Sequence, residues 1–422
     1  VTNTPLPPAS CPVSGVGRRG FLRGALGTGL ATGAALAGFG GGALATAAHA
    51  QTDAPASDAG RAIPFHGIHQ AGILTPPQAA AAFVAFDLTT GSVADTAALL
   101  QTITDRARAL TAGGTPANLG ISAPPSDSGI LGPDLPAAGL TVTLGVGSSF
   151  FDRWGLAARR PTRLRPMDTF VNDDLDRARC DGDLLLQICA DSTDVVLHAL
   201  RDIARHTRGG MQVRWRVDGF QSPSRPSGAS RNLLGFKDGI ANPAPAEADA
   251  LLWVGAGGIE PAWATGGSYQ VTRIIRMLVE FWDRVTLSEQ ERMIGRRRDS
   301  GAPLTGSSET DAPDYTDDPL GSAIPLDAHI RRANPRSADT DDTRLLRRGY
   351  NYDGGTDVNG NLDMGLVFTC FQQDLDRQFV TVQKRLADEP LADYISPVGG
   401  GYFFALPGVR DASDWLGRGI FA

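Results

Sequence analysis

From residue 80 to residue 217 the apolar positions switch between two periods. Runs that are apolar throughout, or apolar at every second position, predict strands at Ala80–Leu88, Leu140–Val146, Asp183–Ala190 and Met211–Val217, the last in strict alternation (MQVRWRV). Between them, apolar residues at helical spacing predict helices over Val93–Leu110 and Thr193–His206. The order is β-α-β-β-α-β, which is the ferredoxin-like unit. A Ser/Pro/Gly-rich stretch, Ser222–Ser230, then reads as a linker, and a similar rhythm returns after it. It comprises a long strand at Tyr269–Trp282, a helix opening at Ser288 with Glu291 as its capping-box partner, a strand at Gly365–Phe371, a helix capped by Asp374 and a strand at Gly401–Leu406. The fold class expected is therefore α+β, two ferredoxin-like domains in tandem. One segment breaks the second repeat: Arg296 to Gly360, rich in Asp, Pro, Gly and Arg, is far longer than an ordinary connection. A functional role is expected for it, because it holds His329, the one histidine of the second half.

The first fifty residues do not belong to this pattern. They carry Arg18, Arg19 and Arg23, no acidic residue, and a mildly apolar Gly/Ala/Leu run that ends in Ala48-His49-Ala50. That layout is an export signal with a small-residue cleavage site, and cleavage is expected after Ala50. Arg18-Arg19 followed by Gly-Phe-Leu, ahead of so weakly hydrophobic a run, marks the twin-arginine type, whose partner is the twin-arginine export machinery. The same Gly-rich run makes a poor permanent membrane span. The expected divisions are thus a cleaved signal over 1–50 and domains over 51–221 and 222–422, with the mature protein in the periplasm or outside the cell.

The chain carries a net charge of −7, which becomes more negative once three arginines leave with the signal, so nucleic acid is not the expected partner. Three cysteines remain, Cys180, Cys189 and Cys370; Cys189 and Cys370 lie in apolar strand-like runs, and the odd number argues for buried free thiols over a disulfide framework. No HExxH, CxxC or Gly-rich phosphate loop is present, which excludes most metallohydrolase, zinc-module and nucleotide-binding readings. Among the histidines, His198 and His206 sit in a predicted helix and read as partly exposed surface. His66 and His69 precede the first strand and read as structural.

His329, in DAHIRRANPR, stands in more telling company: Gly235-Phe236-Lys237-Asp238-Gly239 lies upstream and Arg347-Arg348-Gly349-Tyr350 downstream. With these blocks in order, GFKDGIANP, then the histidine about ninety residues on, then an arginine ahead of a glycine, the chain resembles the dye-decolourising peroxidases, and best their exported branch. The resemblance runs from PFHGIHQAGI to GGGYFFALPG. It implies haem b held mainly by the C-terminal half, with His329 as axial iron ligand and a carboxylate on its other ring nitrogen, for which Glu389 and Asp393 are both candidates. It implies that Asp238 relays the proton of a peroxide on the open side, and that Arg347, with Arg344 and Arg348 as rivals, stabilises the developing negative charge. Gly239, Ile240 and Ala241 would touch the macrocycle, Asn242 would hydrogen-bond there, Leu366 and Phe368 would wall the oxygen side, and Asn334, Pro335 and Arg336 would line the edge, the arginine suiting a propionate. Ile240 departs from the family, where a threonine is frequent. Two activities remain open at this stage. One is H2O2-dependent oxidation of small organic reductants such as dyes; the other is a deferrochelatase reaction, in which haem is the substrate and iron is released to an iron-uptake system with the porphyrin intact. A haem carrier is a weaker third, since it has no use for an acid and an arginine together. The oligomeric state is not legible.

Overall fold

The structure, a computed structural model, describes residues 60–422. The export-signal expectation for residues 1–50 lies outside them. The described residues contain nine strands: β1 Ala80–Leu88, β2 Thr141–Gly147, β3 Leu184–Ala190, β4 Met211–Phe220, β5 Ser268–Met277, β6 Leu346–Arg347, β7 Tyr350–Thr356, β8 Leu362–Gln372 and β9 Ile395–Ala405. The helices are α1 Val93–Ala112, α2 Thr193–His206, α3 Ala248–Leu251, α4 Val279–Trp282, α5 Leu287–Ile294, α6 His329–Ala333 and α7 Thr381–Arg385, joined by several short 3₁₀ turns.

Hydrogen bonding sorts the strands into two antiparallel sets, β4-β1-β3-β2 and β7-β8-β5-β9. Each set has its fourth strand beside its first, then its third, then its second, so both halves are ferredoxin-like and the fold is a duplication. The sets also join edge to edge, through β2 with β9 and β4 with β7, so the strands close into a ring with no open edge along that path. Period-two alternation then divides every strand between inside and outside. Phe83, Leu185, Trp215, Ile274, Tyr350, Val367 and Phe403 point inward and form one buried cluster. On the outside of the first set, α1 and α2 lay Leu100, Ile103, Ala199 and Ile203 against Val84, Leu144 and Leu186. The outer face of β5 and β8 carries a different cover, built from the long segment between Arg296 and Gly360, and there the site forms.

Several elements of the second half depart from expectation. The strand expected to run to Trp282 stops at Met277; Leu278 turns the chain, its N–H donating to the Tyr394 carbonyl, and Val279–Trp282 curls into α4 beneath a separate apolar cluster. The run stays apolar round the corner because both sides of the corner are buried. The cap of α5 is Thr286, whose hydroxyl accepts from the Glu289 N–H, in place of the Ser288–Glu291 pair. Asp374 does cap the following helical turn, accepting from the Asp376 and Arg377 N–H groups. β9 begins six residues earlier than the sequence pattern implies, and β6 and β7, missing from that pattern, lie inside the long segment. His198 is 2% exposed and packed in the core, with Ser128 on its Nδ1, so the surface reading of that residue is overturned. His69 is structural as expected, stacked on Trp253 with its Nδ1 against the Gly266 carbonyl. The three cysteines are free and buried.

Candidate active site

On the outer face of β5 and β8 lies a cavity of about 1640 Å³, counted to its open mouth. Its back wall is the strand pair itself: Arg273 faces Phe368 and Ile275 faces Leu366 in the β5–β8 register, and all four line the cavity while Ile274 and Val367 point into the ring.

His329 opens α6. The position of this short helix follows from the end of α5, where Gly295 adopts a left-handed conformation (φ 92°) and leaves bare backbone for Ile330; a Cβ there would sit 2.6 Å from Ile330 Cγ1. Arg331 ties α6 to the loop ahead of it through Asp318, and Arg332 ties it to α7 through the Arg385 carbonyl. His329 Nδ1 lies 2.7 Å from Glu389 Oε2, and Glu389 is only 3% exposed, whereas Asp393 points to solvent. The carboxylate partner is therefore Glu389. Burial draws the imidazole pKa down, but the charge and hydrogen bond of Glu389 more than reverse this, and the net shift is upward. Nε2, engaged in no hydrogen bond among the described residues, is left for the cavity.

The GFKDG motif is a turn that needs both of its glycines, since Gly235 and Gly239 have φ of 87° and 84°. Between them Phe236 is buried, and Lys237 turns away to an ion pair with Glu309. Asp238 is thereby presented to the cavity, where its Oδ1 accepts from the Gly239 N–H at 2.6 Å and from Arg347 Nη1 at 2.8 Å. Arg347 lies on β6, so its neighbour Arg348 points the opposite way, to Thr75 and Gln78. Arg344 is held by Glu247 and Asp341. Of the three arginines, Arg347 is the one paired to Asp238.

The remaining expected residues divide. Gly239, Ile240, Ala241, Asn334, Arg336, Leu366 and Phe368 line the cavity. Asn242 and Pro335 do not: the Asn242 side chain is committed to the Arg347 backbone, and Pro335 stands outside the lining. Among the lining residues that went unnoticed in the sequence, Arg296 and Tyr315 carry polar groups. Burial lowers the Arg296 pKa, with Arg336 and Arg347 adding to the effect, and burial pushes the Tyr315 phenol up to about 12. The Tyr315 hydroxyl is buried beside Arg336, and Arg336, itself in a left-handed conformation (φ 59°), makes no ion pair among the described residues. One edge of the cavity therefore gathers Arg336, Arg296 and a buried phenol, a cationic and hydrogen-bonding edge suited to acidic groups. Among the described residues no cluster of three His, Cys, Asp or Glu could hold a bare metal ion. A single carboxylate-held imidazole in a large apolar cavity with a cationic edge fits a metal that brings its own planar ligand with acidic substituents.

Comparison with known proteins agrees with this geometry. Residues 70–221 match the family model for Dyp-type peroxidase, N-terminal, and residues 229–410 that for Dyp-type peroxidase, C-terminal. The chain is 52% identical over 367 residues to a protein of Escherichia coli named deferrochelatase, covering 85% of this chain and 86% of that one. Among solved structures it is similar to a DyP-type peroxidase from Cellulomonas bogoriensis, at 39% identity and a TM-score of 0.78 over 86% of this chain and 99% of the other. It is likewise similar to ferric DtpA from Streptomyces lividans, at 38% identity and a TM-score of 0.79 over 87% and 100%. The chain belongs to the Dyp-type peroxidase family.

Proposed function

We propose that this enzyme is a haem b peroxidase that reduces H2O2 and oxidises organic molecules such as dyes. The observation that carries the reading is the presence, in one cavity, of the Glu389-held imidazole of His329 and the Asp238–Arg347 ion pair. Haem iron, when bound, would supply the centre that passes two electrons to the peroxide O–O bond and regains them from a reductant. His329 would hold the iron through Nε2, and Glu389 fixes the tautomer by keeping the proton on Nδ1. Ile240, Ala241, Leu366 and Phe368 would exclude water around the macrocycle; Asn334, Arg336, Arg296 and Tyr315 would meet its acidic edge. Asp238 would take the proton from one peroxide oxygen and return it to the other, while Arg347 would stabilise the negative charge that develops between those events. The test is H2O2-dependent dye oxidation by haem-loaded protein, with His329→Ala as the comparison; equal activity per protein in both would refute the assignment.

The likeness to the relative named deferrochelatase favours a second activity at the same site, release of iron from haem with the porphyrin left whole. Incubation with haem, with and without peroxide, followed by measurement of free protoporphyrin and of oxidised dye separates the two. Export belongs to the same proposal: a twin-arginine signal over 1–50, removal after Ala50, domains over 51–221 and 222–422, and a mature protein in the periplasm or beyond, where it would serve an iron-uptake system. Arg18-Arg19 and the Ala-His-Ala end of the apolar run support it.

A further inference from the structure

Asp238 and Arg347 are 109 residues apart in the chain, and both side chains are partly exposed to the cavity. An ion pair of that kind is worth little by itself and does not define a geometry. The backbone around it is defined by something else. β6 ends the strand order, and Arg347 pairs on one side with Cys370 of β8. On its other side stands a side chain in place of a strand. Asn242 Nδ2 donates to the Arg347 carbonyl at 2.8 Å and Asn242 Oδ1 accepts from the Arg347 N–H at 3.0 Å, so a primary amide imitates one residue of a ladder. A second connection runs on the far side of the pair. The Asp238 N–H donates to the Ser230 carbonyl at 3.0 Å, the Ser230 hydroxyl donates to Gln221 Oε1 at 2.6 Å, and Gln221 Nε2 donates to the carbonyl of Gly349, two residues beyond Arg347. Gln221 is itself anchored, its N–H on the Ala79 carbonyl at 2.8 Å.

We propose that Asn242 and Gln221 are positioning residues, two neutral clasps that set the distance between the Asp238 loop and the Arg347 strand and so hold the acid and the cation in register for peroxide. The proposal rests on the peroxidase reading. Neutrality matters, because a charged clasp would alter the field that Asp238 and Arg347 supply. Gln221, Ser230, Asn242 and Gly349 also line a second cavity that meets the first at Asp238, Gly239 and Arg347, so the clasps border open space and can be altered without opening a hole in the core.

The experiment is a double-mutant cycle on haem-loaded protein, with first-turnover peroxide consumption followed by stopped flow and expressed per bound haem. Asn242→Leu removes both bonds to Arg347, and Gln221→Met removes the second clasp at constant shape. Each is expected to lose on the order of 10- to 100-fold, the scale of a misplacement near 1 Å. In an Arg347→Leu background Asn242→Leu is expected to cost nothing further, because it acts through Arg347. A merely structural role predicts losses that multiply. Full multiplication, or full speed in both single variants, overturns the proposal. Should Asn242→Leu fail to fold, Gln221→Met is cycled against the combined Asp238→Asn and Arg347→Leu variant, where it is expected to cost nothing further, and full multiplication there overturns the proposal. Full speed in Arg347→Leu alone is a different failure, since it removes the peroxidase reading beneath the proposal.

Discussion

Replacing Glu389 tests the imidazole assignment more sharply than deleting the imidazole. Glu389→Gln keeps an acceptor for His329 Nδ1 at similar length but removes the charge, and Glu389→Leu removes both. Loss of a partner on a ligating histidine typically costs about 10- to 100-fold in metal affinity, or about 1.4 to 2.7 kcal/mol. Because Glu389 is 3% exposed, the Leu variant also leaves the Nδ1 proton buried without an acceptor, which adds about 1 to 3 kcal/mol. The expected order of haem affinity is therefore wild type, then Gln lower by about tenfold, then Leu lower by about a hundredfold or more. Titration of the haem-free protein, followed at the Soret band, measures it. The midpoint potential should rise in the same order, since the carboxylate increases electron donation from the imidazole and favours ferric iron. The pH dependence has a definite sign. A proton on His329 competes with iron, and its pKa in the haem-free protein lies above 6.5, so wild-type affinity begins to fall at a pH above 6.5 as the solution is acidified. In the Gln variant burial is no longer opposed by the Glu389 charge, and the fall should begin at a lower pH than in the wild type. Unchanged affinity, potential and pH onset in both variants would show that Glu389 is a bystander and that His329 is not the ligand.

His329→Ala should lose the Soret band or hold haem weakly, read from the absorbance ratio of purified protein. Asp238→Asn and Arg347→Leu should keep haem and slow first-turnover peroxide consumption by about 10² to 10⁴, with the arginine loss equal or larger if charge stabilisation is the greater effect; full speed in both would assign the chemistry elsewhere. His198 is buried with its Nε2 unpartnered, and burial lowers its pKa. Below about pH 6.5 the unfolded chain therefore takes up a proton that the folded one refuses, and stability should fall between pH 7 and pH 5. The Tm difference between those pH values should shrink in His198→Gln, and an unchanged difference would refute the coupling. Replacing Arg18 and Arg19 by Lys should leave unprocessed precursor in the cytoplasm; mature protein beginning near Gln51 outside the cell would refute the twin-arginine reading.

The first half was legible because its strands are buried on both faces: β1, β2 and β3 read as near-continuous apolar runs between two amphipathic helices, and nothing functional interrupts them. In the second half the same logic failed where the strand carries little apolar surface. β7 is buried over Tyr350 to Tyr352 and exposed from Asp353 onward, and its outer part is a polar hairpin with β8 that leaves no period to read. The site divides along a related line. His329, Asp238 and Arg347 do chemistry that few side chains can do, so their types and order carried a signal that the fold then brought into one cavity. The choice between Glu389 and Asp393 was open because both are carboxylates on one short turn, and only the direction of that turn separates them. Arg296 and Tyr315 were lost among the many charged residues of the long segment; a tyrosine there, amid arginines and prolines, was the one faint sign of a buried position. Asn242 was expected through the resemblance only as a hydrogen-bonder toward the haem, and Gln221 gave no sign at all. A residue that moves a proton is constrained in type, but a residue that holds a backbone carbonyl is constrained in distance, and any amide at that distance would serve. The distance belongs to the closed ring: β6 and β7 run in one register along β8, β7 meets β4 at the closure, and β6 extends past it, which brings the Arg347 backbone within reach of a loop more than a hundred residues upstream.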